Sequence, residues 1–411
     1  MTSTSGTPRG AGRAAATGVT VKKAGDAGKD PSQTDPDHHR DWLQSRWRSG
    51  LRRKLLAWFA ENAREMPWRS DPTPYHVWVS EIMLQQTQVA TVLPYYRRWM
   101  KSFPKVADLA AADESVLMRH WEGLGYYRRV RSMHAAAKKI MQDHGGIFPL
   151  DYDDVLALPG VGRYTAGAVL SISAGAKLPV LEGNTQRVYS RWIGLRGSPT
   201  EKSANRLLWE FATKILPRSE SGQFNQAAME LGALVCLPKN PRCDECPVLN
   251  HCRAAELGLQ AEIPGKIKRI KYEDRTEFVL VIKRDQQGTT EYLARPLPDG
   301  GRWAGLWDFP RSTEIATESV DAAADWLSGQ LGTEIAAGVR LHTLRHAVTK
   351  YRISLHVHQA RVAGAEIGQG NAQPSWQWVS LDKMQELPLS VTGRKIADFL
   401  AEDGQTILPL R

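Results

Sequence analysis

Along the first two thirds of the chain, apolar residues recur every three or four positions. The period runs through Leu51–Ala63 (LRRKLLAWFAENA), Val116–Leu124 (VLMRHWEGL) and Asn205–Leu216 (NRLLWEFATKIL). This spacing gathers the apolar side chains of each stretch on one helical face, and few β-branched residues alternate with polar ones as strands require. The pattern predicts an all-α domain of roughly ten helices from about Trp42 to Ala255. After Ile263–Glu273 (IPGKIKRIKYE), a basic stretch with proline and glycine, the character changes. EFVLVIKRD, TEYLARPL and YRISLHVHQARV read as strands, and VDAAADWLSGQL reads as a helix. The expected division is a disordered tail over 1–40, poor in large apolar side chains, a helical domain over 41–262, a linker over 263–275 and an α+β domain over 276–411. No internal repeat is visible.

Charge and cysteine placement sharpen this picture. With 54 Lys+Arg against 44 Asp+Glu the formal charge is +10, which favours an anionic partner such as nucleic acid. No apolar run approaches the roughly 20 residues that span a bilayer, and the N-terminus lacks the apolar region of a signal peptide. A soluble cytoplasmic protein is therefore expected, with no membrane partner. All four cysteines, Cys236, Cys243, Cys246 and Cys252, fall together in a C-x6-C-x2-C-x5-C spacing. In a reducing compartment such a group points to a metal centre rather than disulfides. Four thiolates suit either one zinc or an iron–sulfur cluster, and the spacing alone leaves both open. Lys239, Arg242 and Arg253 beside them suit phosphates or simply solvent.

Two further stretches carry chemistry. In Leu158–Gly167 (LPGVGRYTAG), Gly160 and Gly162 follow a proline and precede a run of small residues. Such glycines permit positive φ and bare the first N–H groups of the next helix to an anion such as phosphate. The plainer reading of the same residues is a glycine C-cap between packed helices. In Trp78–Val92 (WVSEIMLQQTQVATV), Glu81 lies among Trp78, Ile82, Met83 and Leu84. Desolvation there would raise its carboxyl from about 4.3 towards neutrality, as a general acid requires.

The order of the Glu81 helix, the glycine hairpin, the acidic loop PVLEGNTQRV and the cysteine spacing resembles the helix-hairpin-helix DNA glycosylases. Within them it resembles the adenine DNA glycosylase branch, over about Trp47 to Val362. The resemblance implies a helix-hairpin-helix glycosylase domain with a [4Fe-4S] cluster, rather than zinc, on the four cysteines. It implies that the hairpin at Gly160 and Gly162 grips the DNA backbone. Glu81 would protonate adenine, so that it leaves as a neutral base, and afterwards help position the attacking water. The adenine must first be flipped out of the duplex. By resemblance, Gln86 inserts into the vacated stack, Tyr126 of GLGYYRR wedges at the opposite base, and Arg64, Trp68 and Gln226 line the adenine pocket. Where strand-cleaving members carry a lysine on the hairpin helix, this chain has Tyr164. A phenol forms no Schiff base, so base removal without lyase chemistry is implied.

Glu277–Arg311, with its W-x-G-L-W-x-F-P segment, resembles the opening of a Nudix-type domain. The following STEIATESVDAAADWLSGQLG lacks the carboxylate array that holds magnesium on a diphosphate. Phosphohydrolase activity is not expected; in the family this domain recognises 8-oxoguanine opposite the adenine. Two departures stand out. Leu181-Glu182-Gly183-Asn184 replaces a V-D-G-N pattern, adding a methylene to the carboxylate that stabilises the oxocarbenium-like sugar. Asn184 matches the family and is expected to order the loop. Val348-Thr349-Lys350 replaces a Phe-Ser-His loop: Thr349 keeps a hydroxyl, whereas Lys350 cannot accept a hydrogen bond as an imidazole does. The expected function is release of adenine opposite 8-oxoguanine, and less efficiently opposite guanine, in double-stranded DNA, by a monomer associated with a bacterial nucleoid. A second reading is an endonuclease III-like glycosylase/lyase on oxidised pyrimidines. A third is a cluster-bearing protein that binds lesions without releasing a base.

Overall fold

The computed structural model describes residues 41–405 except 267–270, 299, 302, 316, 318, 365, 366 and 368–375, so the expected tail over 1–40 and the middle of the expected linker lie outside the described residues. Helices fill the chain from Ser45 to Glu256, and their apolar faces pool into two cores. One is built by Pro74–Leu84, Val89–Ser102, Glu114–Trp121 and Arg128–His144 around Trp78, Trp99, Trp121 and Ile140. The other is built by Ser45–Asn62, Gly183–Ile193, Lys202–Ile215 and Ser221–Leu234 around Leu51, Trp192, Phe211 and Phe224. Among the described residues no helix is long and apolar enough to cross a membrane.

The two cores meet where the Arg163–Ala174 helix packs on Ser221–Leu234. Glycine decides how closely. A Cβ on Gly222 would overlap the Ser171 carbonyl, and one on Gly167 would lie 2.5 Å from the Pro179 oxygen. Asn225 spans the crossing, donating from Nδ2 to Ser171 Oγ and to the Leu178 carbonyl, both at 2.9 Å. This near-contact of backbones brings Tyr164 from one helix and Gln226, Met229 and Glu230 from the other to one cavity.

The two glycines of the hairpin before Arg163 contribute in different ways. Gly160 has φ +78, and a Cβ there would lie 2.5 Å from Ser132 Cβ. Gly162 is extended instead, with φ −107 and ψ 176, at the N-cap of the Arg163–Ala174 helix, and open space surrounds its missing Cβ. Its contribution is an uncovered helix N-terminus rather than left-handed backbone.

The C-terminal sheet comprises β1 (Glu273–Gln286), β2 (Thr289–Pro296), β3 (Trp307–Asp308), β4 (Ile335–Val348), β5 (Tyr351–Val362) and β6 (Gln377–Ser380). Their order is β3-β2-β1-β5-β4, with β6 also paired to β2; β1 and β5 run parallel and the other pairs antiparallel. Glu277 to Ile282 are all buried because helices cover both faces. Val279 and Val281 join the core of the Val391–Gln405 helix, while Phe278, Leu280 and Ile282 join that of Val320–Leu331. β4 and the Val391–Gln405 helix escaped the sequence reading. β4 carries Arg340, His342, Arg345 and His346 and breaks register twice against β5, so its alternation is lost. The expected linker is also tied down at both ends. Ile263 is buried and its carbonyl accepts from Arg191 Nε at 2.9 Å, while Glu273 already pairs with Tyr351 in the sheet.

Replacing Gly222 by Ala forces the two central helices apart. We expect a loss of about 2 kcal/mol in folding stability, read by denaturant unfolding.

Candidate active site

The Pro74–Leu84 helix starts from Thr73, whose Oγ1 accepts from His76 N, and Pro74 occupies its first turn. Every residue from Val77 to Met83 is buried, so this helix is enclosed all round and Glu81 has no solvated face to turn to. Glu81 is 6% exposed, and the Tyr164 hydroxyl donates to its Oε2 at 2.5 Å. Burial pushes the carboxyl up, and the charge of Glu182 adds to this; the Tyr164 hydrogen bond and the Arg69 charge oppose it, leaving the group at about 7. The Tyr164 phenol is itself driven well above its ordinary value, by burial first and then by Glu81 and Glu182, so it remains a proton donor.

Glu81 and Tyr164 line a cavity of about 510 Å3, together with Arg64, Trp68, Glu182, Asn184 and Gln226. Seven positions singled out in the sequence thus come together. Glu182 is the N-cap of the Gly183–Ile193 helix: its carboxylate accepts from Asn184 N at 2.8 Å and Thr185 N at 2.9 Å, and Thr185 Oγ1 accepts from Glu182 N. The extra methylene is folded back onto the helix start. Burial raises this carboxyl too, against the Asn184 and Thr185 amides and the Arg187 charge. Asn184 Oδ1 accepts from Arg187 Nη2 at 2.9 Å, and Arg187 also donates to the carbonyls of Gly232 and Cys236.

Arg64 does not hang free in the cavity. It forks onto Glu230, with Nε to Oε1 at 2.8 Å and Nη2 to Oε2 at 2.9 Å, and Arg69 Nη2 joins Oε2 at 2.9 Å. Burial alone would raise Glu230, but the hydrogen bonds from the two arginines outweigh it and hold the group at about 2. Sequence reasoning missed Arg69, Met229 and Glu230. The signal lay in FNQAAMELG, where Gln226, Met229 and Glu230 share one helical face.

Gln86, Tyr126 and Gly160 line a second cavity of about 310 Å3. Gln86 and Tyr126 both adopt left-handed backbone, with φ 57 and φ 50. Arg129, also missed in the sequence, holds the two loops together: it donates to the carbonyls of Ile82, Met83 and Gln85 on one side and of Leu124 and Gly125 on the other. A third cavity of about 500 Å3 lies between the domains, with Tyr126, Arg128 and Arg131 on one wall and Trp303, His346 and Thr349 on the other. Lys350 lies differently. It is not among the lining residues; its Nζ meets Glu273 Oε1 at 2.7 Å and lies over the Tyr351 ring. At the turn joining β4 to β5, Val348 and Thr349 line the cavity and Lys350 turns to Glu273.

Residues 79–214 match the family model for the HhH-GPD superfamily base excision DNA repair protein. Residues 236–252 match the iron-sulfur binding domain of endonuclease III, and residues 278–398 match the NUDIX domain. The chain is 33% identical to the adenine DNA glycosylase of Mus musculus, over 85% of this chain and 77% of that protein. The chain belongs to the adenine DNA glycosylase family. A relative of the same name from Buchnera aphidicola is 37% identical over 64% of this chain and 75% of its own length. A solved thermostable thymine-DNA glycosylase is 25% identical, with a TM-score of 0.47, over 52% of this chain and 99% of its own.

Family membership makes the chain a DNA N-glycosylase, a hydrolase of base excision repair whose partner is DNA, and its cofactor a [4Fe-4S] cluster. The donor set fits that cluster. Cys236, Cys243, Cys246 and Cys252 are all free thiols within electrostatic reach of one another. Burial first and then the neighbouring thiols push Cys246 up to about 12 and Cys252 to about 11, so a cationic centre would draw these two into the thiolate form. The bound cluster would supply iron to four thiolates and thereby crosslink the loop. Arg191, 2% exposed, prepares the loop by donating from Nη1 to Cys236 Sγ at 3.2 Å and to the Leu237 carbonyl at 2.7 Å.

Two outcomes test this geometry. Tyr164→Phe removes the donor that favours the Glu81 carboxylate, so a carboxyl-selective NMR titration should show Glu81 protonated to higher pH than in the native enzyme; an unmoved midpoint would deny the contact. Anaerobically purified protein should carry roughly four irons per chain and absorb broadly near about 400 nm, whereas zinc alone would remove the cluster assignment.

Proposed function

We propose that the enzyme is a monofunctional adenine DNA glycosylase, which releases adenine opposite 8-oxoguanine and, less efficiently, opposite guanine. It acts as a monomer on duplex DNA of a bacterial nucleoid. Residues 41–262 carry the chemistry and residues 276–411 read the opposite base. The observation that carries this reading is the Glu81–Tyr164 contact facing Glu182 across one cavity.

In the proposed reaction the flipped adenine enters the 510 Å3 cavity against Trp68, between Gln226 and the Arg64–Glu230 fork. Glu81, raised to about 7 and so still partly protonated at neutral pH, delivers its proton to N7. The C1′–N9 bond then breaks with its electron pair leaving on the neutral base. Charge develops on the sugar, and the Glu182 carboxylate stabilises it electrostatically. The Glu81 carboxylate now accepts a proton from water as the water oxygen bonds to C1′, which restores the acid and leaves an abasic site. No amine occupies the Tyr164 position, so the sugar is not held as an imine and the strand stays intact until alkali is added. Gln86 and Tyr126, exposed on their left-handed turns, suit insertion beside the flipped nucleotide, and the cavity between Tyr126 and Thr349 suits the opposite base.

Glu81→Gln should retain tight binding to a duplex with adenine opposite 8-oxoguanine while adenine release falls roughly a thousandfold; normal turnover would remove Glu81 from its role. In the native enzyme, single-turnover release requires Glu81 protonated and therefore falls as pH rises through about 7. Strand breaks without alkali would favour the lyase reading, and tight binding without released adenine would favour recognition alone.

A further inference from the structure

Contacts between the C-terminal domain and the helical one stand on both sides of Gly123–Arg129, the segment that carries Tyr126, and Arg119 Nε adds a bond to the Gln385 carbonyl at 3.0 Å. On one side stands Glu122, the C-cap of the Glu114–Trp121 helix. Its carboxylate, with only 8% of the side chain exposed, receives Arg394 Nε at 2.7 Å and Nη2 at 3.2 Å, and Arg119 Nη1 at 3.1 Å. Arg394 comes from the far domain, where the carbonyls of Met384 and Leu387, each at 2.9 Å, hold it in place. On the other side, Arg131 donates from Nη2 to the Ala304 carbonyl at 2.5 Å and from Nε to Glu114 at 2.6 Å. A Cβ on Gly305 would overlap that guanidinium, and the next residue, Leu306, is buried in the helical domain's own core.

The bracketed segment depends on such support. Gly123, Gly125 and Tyr126 have φ +96, +68 and +50, and a non-glycine residue in left-handed backbone persists only where its surroundings hold it. The cavity beside Tyr126 has walls from different domains, so contacts between the domains set its width. 8-Oxoguanine differs from guanine by one carbonyl and one N–H, and telling them apart requires a partner at hydrogen-bond distance. A wall displaced by about an ångström loses that contact, while the grip on the DNA backbone stays the same.

We propose that Glu122 and Arg394 are positioning residues for reading the base opposite adenine: their clasp sets Tyr126 at its working distance from Thr349, though neither residue touches a base. This rests on the reading of the Tyr126–Thr349 cavity as the opposite-base site. The clasp is a forked, largely buried ion pair: removing Glu122 deprives Arg394 of its carboxylate, and removing Arg394 leaves Glu122 with Arg119.

The test measures single-turnover adenine release opposite 8-oxoguanine and opposite guanine for the full-length holoenzyme, Glu122→Gln, Arg394→Met, Arg394→Lys and the Glu122→Gln/Arg394→Met double variant. The native enzyme should prefer 8-oxoguanine. Each single neutral variant should lower the preference roughly tenfold, through loss on the 8-oxoguanine duplex alone, with release opposite guanine kept within about twofold. The double variant should be no worse than the weaker single, and lysine should restore part of the preference. Unchanged preference in the variants, or losses that add in the double, would overturn the clasp. Equal loss on both duplexes would also overturn it, since the pair would then merely support the fold. A native enzyme without preference would overturn the opposite-base reading itself, and this inference with it.

Discussion

The proposed chemistry depends on one carboxyl group kept out of water. An exposed glutamate near 4.3 is ionised at neutral pH and has no proton to give. Glu81 holds its proton because the helix around it is buried from Val77 to Met83. The neighbours adjust that effect without reversing it: Tyr164 stabilises the carboxylate, Glu182 destabilises it, and Arg69 contributes a positive charge. Glu230 binds Arg69 and Arg64 together, so the cation nearest the acid is already paired. The cavity's exposed lining is more apolar than polar, and its balance of charges leaves the acid at about 7.

The Gly183–Ile193 helix links that balance to the cluster loop. Its first turn is capped by Glu182, and its later arginines, Arg187 and Arg191, donate to Cys236 O and Cys236 Sγ. A crosslinked cysteine loop therefore supports the helix whose N-terminus holds the second carboxylate. The extra methylene of Glu182 finds its place in this arrangement. Its carboxylate reaches back to two backbone N–H groups of its own helix and remains at the cavity wall.

The domain order was legible in the periodicities, and so were the cavity residues that stand in recognisable runs, such as Glu81, Trp68 and Gln226. Glu230 was not, because a glutamate on a helix ordinarily faces water and only the approach of Arg64 and Arg69, some 160 residues away, buries it. The conformations around Gly162 and Lys350 were not legible for a related reason. A residue type marks what backbone or charge is available, whereas the direction a turn takes decides how it is used. β4 went unseen because its bulges and polar edge erase the alternation that identifies a strand.

The sequence by itself determined the succession of a helical and a strand-bearing region, the four-thiolate site and the replacement of an amine by a phenol at position 164. Each of these is local: a period, a spacing or the identity of one side chain. The tertiary structure decided that the phenol meets Glu81, 83 positions earlier, that Glu182 caps a helix at the same cavity, and that Thr349 rather than Lys350 faces Tyr126. Periodicity tells which face of a helix is buried but not what it is buried against. A carboxyl's affinity for its proton depends on that second fact, because desolvation and neighbouring charge act through space rather than along the chain.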